Sequence, residues 1–404
     1  MFNCLRGEAS AVGAVVLALI LASPAHATLD IVPTFDASIT ADSNAAAIES
    51  AINAAASAIG SQFSNPFEVS ILFEAVHGGS SGFLAGSEST YYGVAYSDYV
   101  SLLQGAAAAN PANAVLNEAV ANLAYGNKGG TFGIAATNTV LQALGVPAAD
   151  VPGGYDASGN WAGGGPGVFD GVILINIDQP LTYTQPLPAY DGSNVTYDAV
   201  RAMEHEIDEV LGGGGSGSTL NDVAYYGVDN PNDPFTFFQG ALDLFRYSAP
   251  HVASFSTNPS ATSYFSVDGG VTSIVGFNQY SQGDFGDFGP TTNACSGGGH
   301  GGPAGLIQDA FVCNNETGEA FTSASPEYKM LEALGYNPLT TVSAPELPTW
   351  ALMMLGAAGL GFAGCRRRQR EGEGQRPDAN GVFIAPTLQP LSGIRSARPP
   401  SFAA

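Results

Sequence analysis

The chain has 404 residues, with 36 acidic against 12 basic side chains, a formal net charge of −24 and only five histidines. Between its two apolar ends, Lys128, Arg201, Arg246 and Lys329 are the only bases. That excess excludes nucleic acid and anionic lipid as partners of this stretch, and it suits solubility or cation binding instead.

Residues 1–27 read as an export signal: "AVGAVVLALILA" is an apolar run of signal-peptide length, and "AHA" ending at Ala27 fits a small-x-small cleavage site. Cleavage there removes Cys4 and His26. Next, "LDIVPTFDAS" alternates like a strand, and "DSNAAAIESAINAAASAIGSQF" predicts a helix capped by Asp42 or Ser43. "FEVSILFEAV" predicts a second strand, ended by "HGGSSG". "SDYVSLLQGAAAAN" and "NAVLNEAVANLAYG" predict helices separated by Asn-Pro, while the glycine-rich section from Lys128 to Pro166 yields no assignment. "GVFDGVILINIDQ" is a strand, and a loop leads from it to the helix "TYDAVRAMEHEIDEVLG". Beyond Gly215 the pattern is irregular until "SPEYKMLEALGYNP", a short helix with Pro326 near its start and Gly335 at its C-cap. In an oxidising compartment Cys295 and Cys313 are expected to form one disulfide across a glycine-rich loop.

Near the far end, the uncharged run from Leu347 to Cys365 is long enough to span a bilayer, and the arginines from Arg366 onward would stay cytoplasmic. With Pro345-Glu346 before it and the basic cluster after it, the segment 345–370 resembles the PEP-CTERM sorting signal of exported bacterial proteins. The resemblance implies an exosortase-type sorting enzyme as a partner, membrane anchoring before processing, and a cell-surface or extracellular destination. Unlike that family, the chain runs on past the basic cluster. Residues 371–404, rich in Pro, Arg and Gly, are expected to be disordered.

The helix around residue 205 concentrates the chemistry. At about 100° per residue, Ala199, Val200, Met203, Ile207, Val210 and Leu211 share an apolar arc. His205, Glu206 and Glu209 fall on an adjoining arc, leaving Arg201, Glu204 and Asp208 on a side expected to face solvent. His205 and Glu209, four residues apart, can reach one ion. This follows the H-E-x-x-H logic of zinc peptidases, with Glu206 as the proton acceptor and Glu209 in the second ligand position. A carboxylate there also admits calcium. The bland alternative is an acidic helix surface on which Arg201 pairs with Glu204 or His205.

Through "TYDAVRAMEHEIDEVLG", "ALDLFRYSAP", "SYFSVDGG", "GDFGDFG", "DAF" and "MLEALGY", the chain resembles a family of exported bacterial proteins classed as metalloproteases. The resemblance implies an α+β, zincin-like two-lobed domain over 28–340, with an N-terminal lobe 28–212 above a cleft and an irregular C-terminal lobe 213–340 below it. It also implies zinc as cofactor and a peptide or protein substrate. Gly212 stands where metzincin-type enzymes turn sharply after the active-site helix, but Gly215 replaces their third ligand. Asp243 is the first candidate for that role, followed by Asp222, His251 and His300; Tyr247 is a candidate oxyanion stabiliser. Two readings stay open: a metal-dependent endopeptidase with an H-E-x-x-E motif, and a non-catalytic surface or matrix protein that binds calcium. A glycan hydrolase has little support, because two carboxylates on one helical turn rarely face each other across a substrate.

Overall fold

A computed structural model describes residues 28–339, apart from 80–82, 127–132, 163–165, 189–192, 231–232, 290–304 and 317, together with Gln389 and Pro390. The expected signal peptide, the sorting segment 345–370, nearly all of the tail, Cys295 and His300 lie outside the described residues. Among the described residues no helix is long and apolar enough to cross a membrane.

The architecture is α+β. Its main sheet is built from β1 (Asp30–Phe35), β2 (Glu68–Val76), β3 (Ala85–Ser89) and, after a second small sheet, β6 (Gly171–Asn176). The strand order is β1-β2-β6-β3. β1 runs parallel to β2 with Asp30 opposite Glu68, and β2 runs parallel to β6 with Ile71 opposite Gly171. β3 closes this end antiparallel to β6, with Ala85 opposite Ile175. Strands covered on both faces are apolar almost throughout, which is why "ILF" and "VILI" read as continuous runs. One face packs against the helix Ala45–Gly60 and the helix Ala199–Val210, hereafter the site helix. The other face is covered by Tyr155, Phe169 and Trp161 lying over Leu72 and Val172. The section left unassigned from sequence contains β5 (Ile134–Thr137), which belongs to the second small sheet, and the helix Asn138–Ala143.

The strands predicted from alternation are present, and so are the helices Tyr96–Ala109 and Ala114–Ala121 flanking Asn-Pro. The first long helix begins after Asn44, and the Asp42 carboxylate accepts from the Asn44 amide rather than capping the helix directly. Beyond the site helix the chain forms a small antiparallel sheet from Arg246–Ala249, Val252–Ala253, Tyr264–Phe265 and Val275–Gly276. The closing helix Pro326–Ala333 has proline in its first turn, and Gly335 (φ +111°) follows it as expected. Its continuation returns to the site helix, where the Tyr336 hydroxyl donates to Leu211 O at 2.9 Å.

The site helix departs from expectation on one side. Its polar face is not solvated: Arg201 and Asp208 are 0% exposed and Glu204 6%. The 305–319 segment and the closing helix cover it. Arg201 therefore pairs with no helix neighbour. Its Nε and Nη2 donate to Leu306 O, Nη2 donates to Asp309 Oδ2 at 3.0 Å, and Nη1 donates to Glu316 Oε2 at 3.4 Å.

Candidate metal centre

The site helix starts cleanly because Asp198 Oδ1 accepts from the Val200 and Arg201 amides. It ends at Gly212, whose φ of +90° admits glycine readily and side chains rarely. Between these caps, Met203, Ile207 and Val210 anchor it in the core. His205, Glu206 and Glu209 are thereby held on one side, as the sequence predicts.

His205 is buried, and its Nδ1 lies 2.9 Å from Ile307 O. A carbonyl only accepts, so Nδ1 carries the proton and Nε2 presents a lone pair. Burial lowers the His205 pKa to about 3, so the ring is neutral at physiological pH. Around Nε2 stand Glu209 Oε1 and Asp287 Oδ2, each at 3.8 Å, and the Gln308 amide nitrogen at 3.1 Å. His205, Glu209 and Asp287 each offer one ligand atom, all within 4.8 Å of one another.

Glu209 is oriented by two donors, Ser87 Oγ at 2.5 Å and the Gly215 amide at 3.0 Å. Gly215 thus contributes a backbone donor to the group. Asp287 Oδ1 accepts from Gln308 Nε2 at 3.0 Å, while Oδ2 is buried with no hydrogen-bond partner. Both Glu206 oxygens are also buried and meet no donor. The neighbouring Glu209 carboxyl could serve as one only by holding a proton. Burial first, then the charges of Glu209, Asp287 and Asp284, raise the Glu206 pKa well above the carboxylate range. Burial, Asp284 and Glu209 do the same for Asp287.

Several acids this close around a neutral imidazole must hold protons or share a cation. The donor set fits a divalent ion: one imidazole with its second nitrogen fixed by a carbonyl, two carboxylates and an orphaned oxygen among them.

The other candidates lie elsewhere. Asp243, expected as the third ligand, is not in the group; Asp287 takes that place. Asp243 Oδ1 accepts from Ser218 Oγ at 2.8 Å, and Oδ2 accepts from the Thr219 and Gly240 amides, both at 3.1 Å. It shapes the turn after the site helix, close to Arg246. Asp222 is on the next helix, Leu220–Tyr226. His251 lies against Tyr125 with ring centres 4.0 Å apart and planes tilted by 36°, and Tyr247 is buried in the small antiparallel sheet. Cys313 is disulfide-bonded and buried; its expected partner Cys295 lies outside the described residues.

Asp287 belongs to "GDFGDFG", and Asp284 of the same segment borders the group. Asn221 fixes that segment by donating to Asp284 Oδ1 and accepting from the Phe285 amide at 2.8 Å. The paired Asp-Phe repeat was the available signal for this ligand. Gln308 carried none. Comparison with protein-family models, with characterised proteins and with solved structures finds no match for this chain.

Proposed function

We propose that the chain is an exported metal-dependent hydrolase of the endopeptidase type, built on a zincin-like two-lobed scaffold. His205, Glu209 and Asp287 hold the ion and Glu206 is the proton acceptor. The observation that carries the reading is the buried group of three ligand atoms with the unpartnered Glu206 carboxyl beside it. A zinc ion held by His205, Glu209 and Asp287 would supply Lewis acidity for peptide hydrolysis. The chain's own residues do the rest. Ile307 O holds the His205 tautomer, while Ser87 and Gly215 orient Glu209. Glu206, ionised once a cation stands in for its proton, would take the proton of the attacking water and pass it to the leaving amine. The acidic surroundings favour basic or uncharged peptide segments.

The rest of the proposal concerns destination. Residues 1–27 direct export, and 345–370 engage the membrane and an exosortase-type enzyme that transfers the domain to the cell surface.

One observation favours a second reading. Two ligating carboxylates with Asp284 close by make an oxygen-rich donor set that also suits calcium, as a non-catalytic matrix protein would use it.

Elemental analysis of the purified chain, its His205→Ala variant and its Glu206→Gln variant separates these readings. One zinc per chain, lost in His205→Ala and kept in Glu206→Gln, is expected, with cleavage of an unfolded protein substrate lost in both. Calcium without cleavage selects the second reading. Cleavage by Glu206→Gln at the wild-type rate rejects the assigned proton acceptor, and no bound metal rejects both readings.

A further inference from the structure

We infer that Gln308 is an additional ligand of the cation held by His205, Glu209 and Asp287, reaching it through its side-chain oxygen. The inference rests on the metal reading above and adds a residue type that H-E-x-x-E logic does not contain.

Gln308 is 0% exposed, and its amide lies against two of the three ligands. Nε2 is 3.1 Å from His205 Nε2 and 3.0 Å from Asp287 Oδ1. The amide's other end, Oε1, is buried and has no hydrogen-bond partner. A buried carbonyl left without a partner is destabilising, so an arrangement that satisfies it is favoured. A half-turn about the last side-chain torsion exchanges nitrogen and oxygen without changing the volume filled. That turn places the oxygen about 3.1 Å from His205 Nε2. Donors that each sit about 2.1 Å from a shared small cation lie roughly 3.0–3.4 Å apart, so the spacing to the imidazole matches.

The nitrogen-inward orientation cannot coexist with a bound ion. It directs an amide hydrogen at the imidazole lone pair that the ion must use. The oxygen-inward orientation frees that lone pair, gives Oε1 the ion as its partner in exchange for the hydrogen bond to Asp287 Oδ1, and adds a hard donor without adding negative charge to a site already crowded with carboxylates.

The segment that carries Gln308 is fixed on several sides, so the side chain is delivered with little freedom. The Gln308 amide donates to Glu327 Oε1 at 3.0 Å, and its carbonyl accepts from the Phe288 amide at 2.7 Å. One residue earlier, Ile307 O holds His205; two earlier, Leu306 O holds Arg201. Arg201 and His205, one helical turn apart, thus clasp the strip that presents Gln308. Gly214 completes the fit, since a Cβ there would collide with the Gln308 amide.

The test is calorimetric titration of the full chain and two variants with ZnCl2, repeated with CaCl2 and MnCl2. Gln308→Leu keeps the bulk and removes both amide ends; it should weaken binding of the ion that the wild type takes by about tenfold or more. Gln308→Glu keeps a ligating oxygen and should bind as tightly as the wild type or tighter. Wild-type affinity in Gln308→Leu overturns the inference, since the amide would then be only a hydrogen-bond partner of His205. Should Gln308→Leu not fold, by circular dichroism, Gln308→Glu decides alone, and a tenfold loss in it overturns the inference. If the wild type binds none of the three ions, the metal reading fails as well; if it binds one and the Gln308→Leu variant matches it, only the role of Gln308 fails.

Discussion

Arg201→Met removes the guanidinium that joins the site helix to the 305–319 segment while keeping most of the volume. Arg201 is 0% exposed and donates to Leu306 O, Asp309 and Glu316, so its loss strands one carbonyl and two largely buried carboxylates. Breaking a buried pair by deleting one partner costs about 3–5 kcal/mol, a large part of the 5–15 kcal/mol that holds a typical domain together. One effect tempers this cost. Burial already raises the Asp309 pKa to about 7 although Arg201 opposes the shift; without Arg201 it rises further, and the group can escape part of the penalty by holding a proton. In the unfolded chain that proton leaves near the ordinary Asp value, so the folded variant binds more protons and its deficit grows as pH rises. Urea unfolding followed by circular dichroism at pH 5 and pH 8 measures this. We expect a deficit of several kcal/mol at pH 8 and a smaller one at pH 5, with faster proteolysis within 305–319. A deficit below about 1 kcal/mol at pH 8, or one that does not change with pH, would refute the clasp.

Other consequences follow from the same geometry. Burial raises Glu204 to about 8 and Glu332 to about 7 from an ordinary 4.5, so between pH 4.5 and 8 the folded chain holds protons that the unfolded chain has released. Stability therefore falls as pH rises through that window, and Glu204→Gln should flatten the slope in the same urea titrations. Gly214→Ala places a methyl against Gln308 and Asp287 at a φ of +47°. It should cost about 1–3 kcal/mol of stability and weaken metal binding together, whereas unchanged binding would show that the turn is not part of the site. Loading the ion should release protons from Glu206 and Asp287, both raised well above the carboxylate range. Affinity should then increase with pH, and titrations in buffers of different ionisation enthalpy would give proton counts near zero if these acids are already ionised.

Much was legible before any coordinates. β1 announced itself by alternation, β2 and β6 by their apolar stretches, and the site helix by its period and by the glycines that end it. His205, Glu206 and Glu209 sit together because spacing along a helix is local geometry. The strands β3 and β4 (Tyr91–Val94) escaped notice. "AGSES" carries little apolar signal, since its place at the end of the sheet comes from pairing with β6.

What the sequence determined by itself was the site helix and two members of the candidate metal group, His205 and Glu209. The third member, Asp287, and the environment of the polar face were decided by tertiary structure. Asp243 and Asp287 are both aspartates in the irregular half of the chain, and nothing in their neighbours says which returns to His205. That depends on where the 285–289 and 306–309 segments run side by side, through the Phe288 amide on Gln308 O and the Ala310 amide on Phe288 O. Likewise, a charged face on an amphipathic helix reads as solvated until another segment covers it. Here one buried arginine, with the Leu306 carbonyl and the two carboxylates it holds, brings that segment in. Contacts between residues a hundred positions apart leave no period in a sequence; only the folded chain contains them.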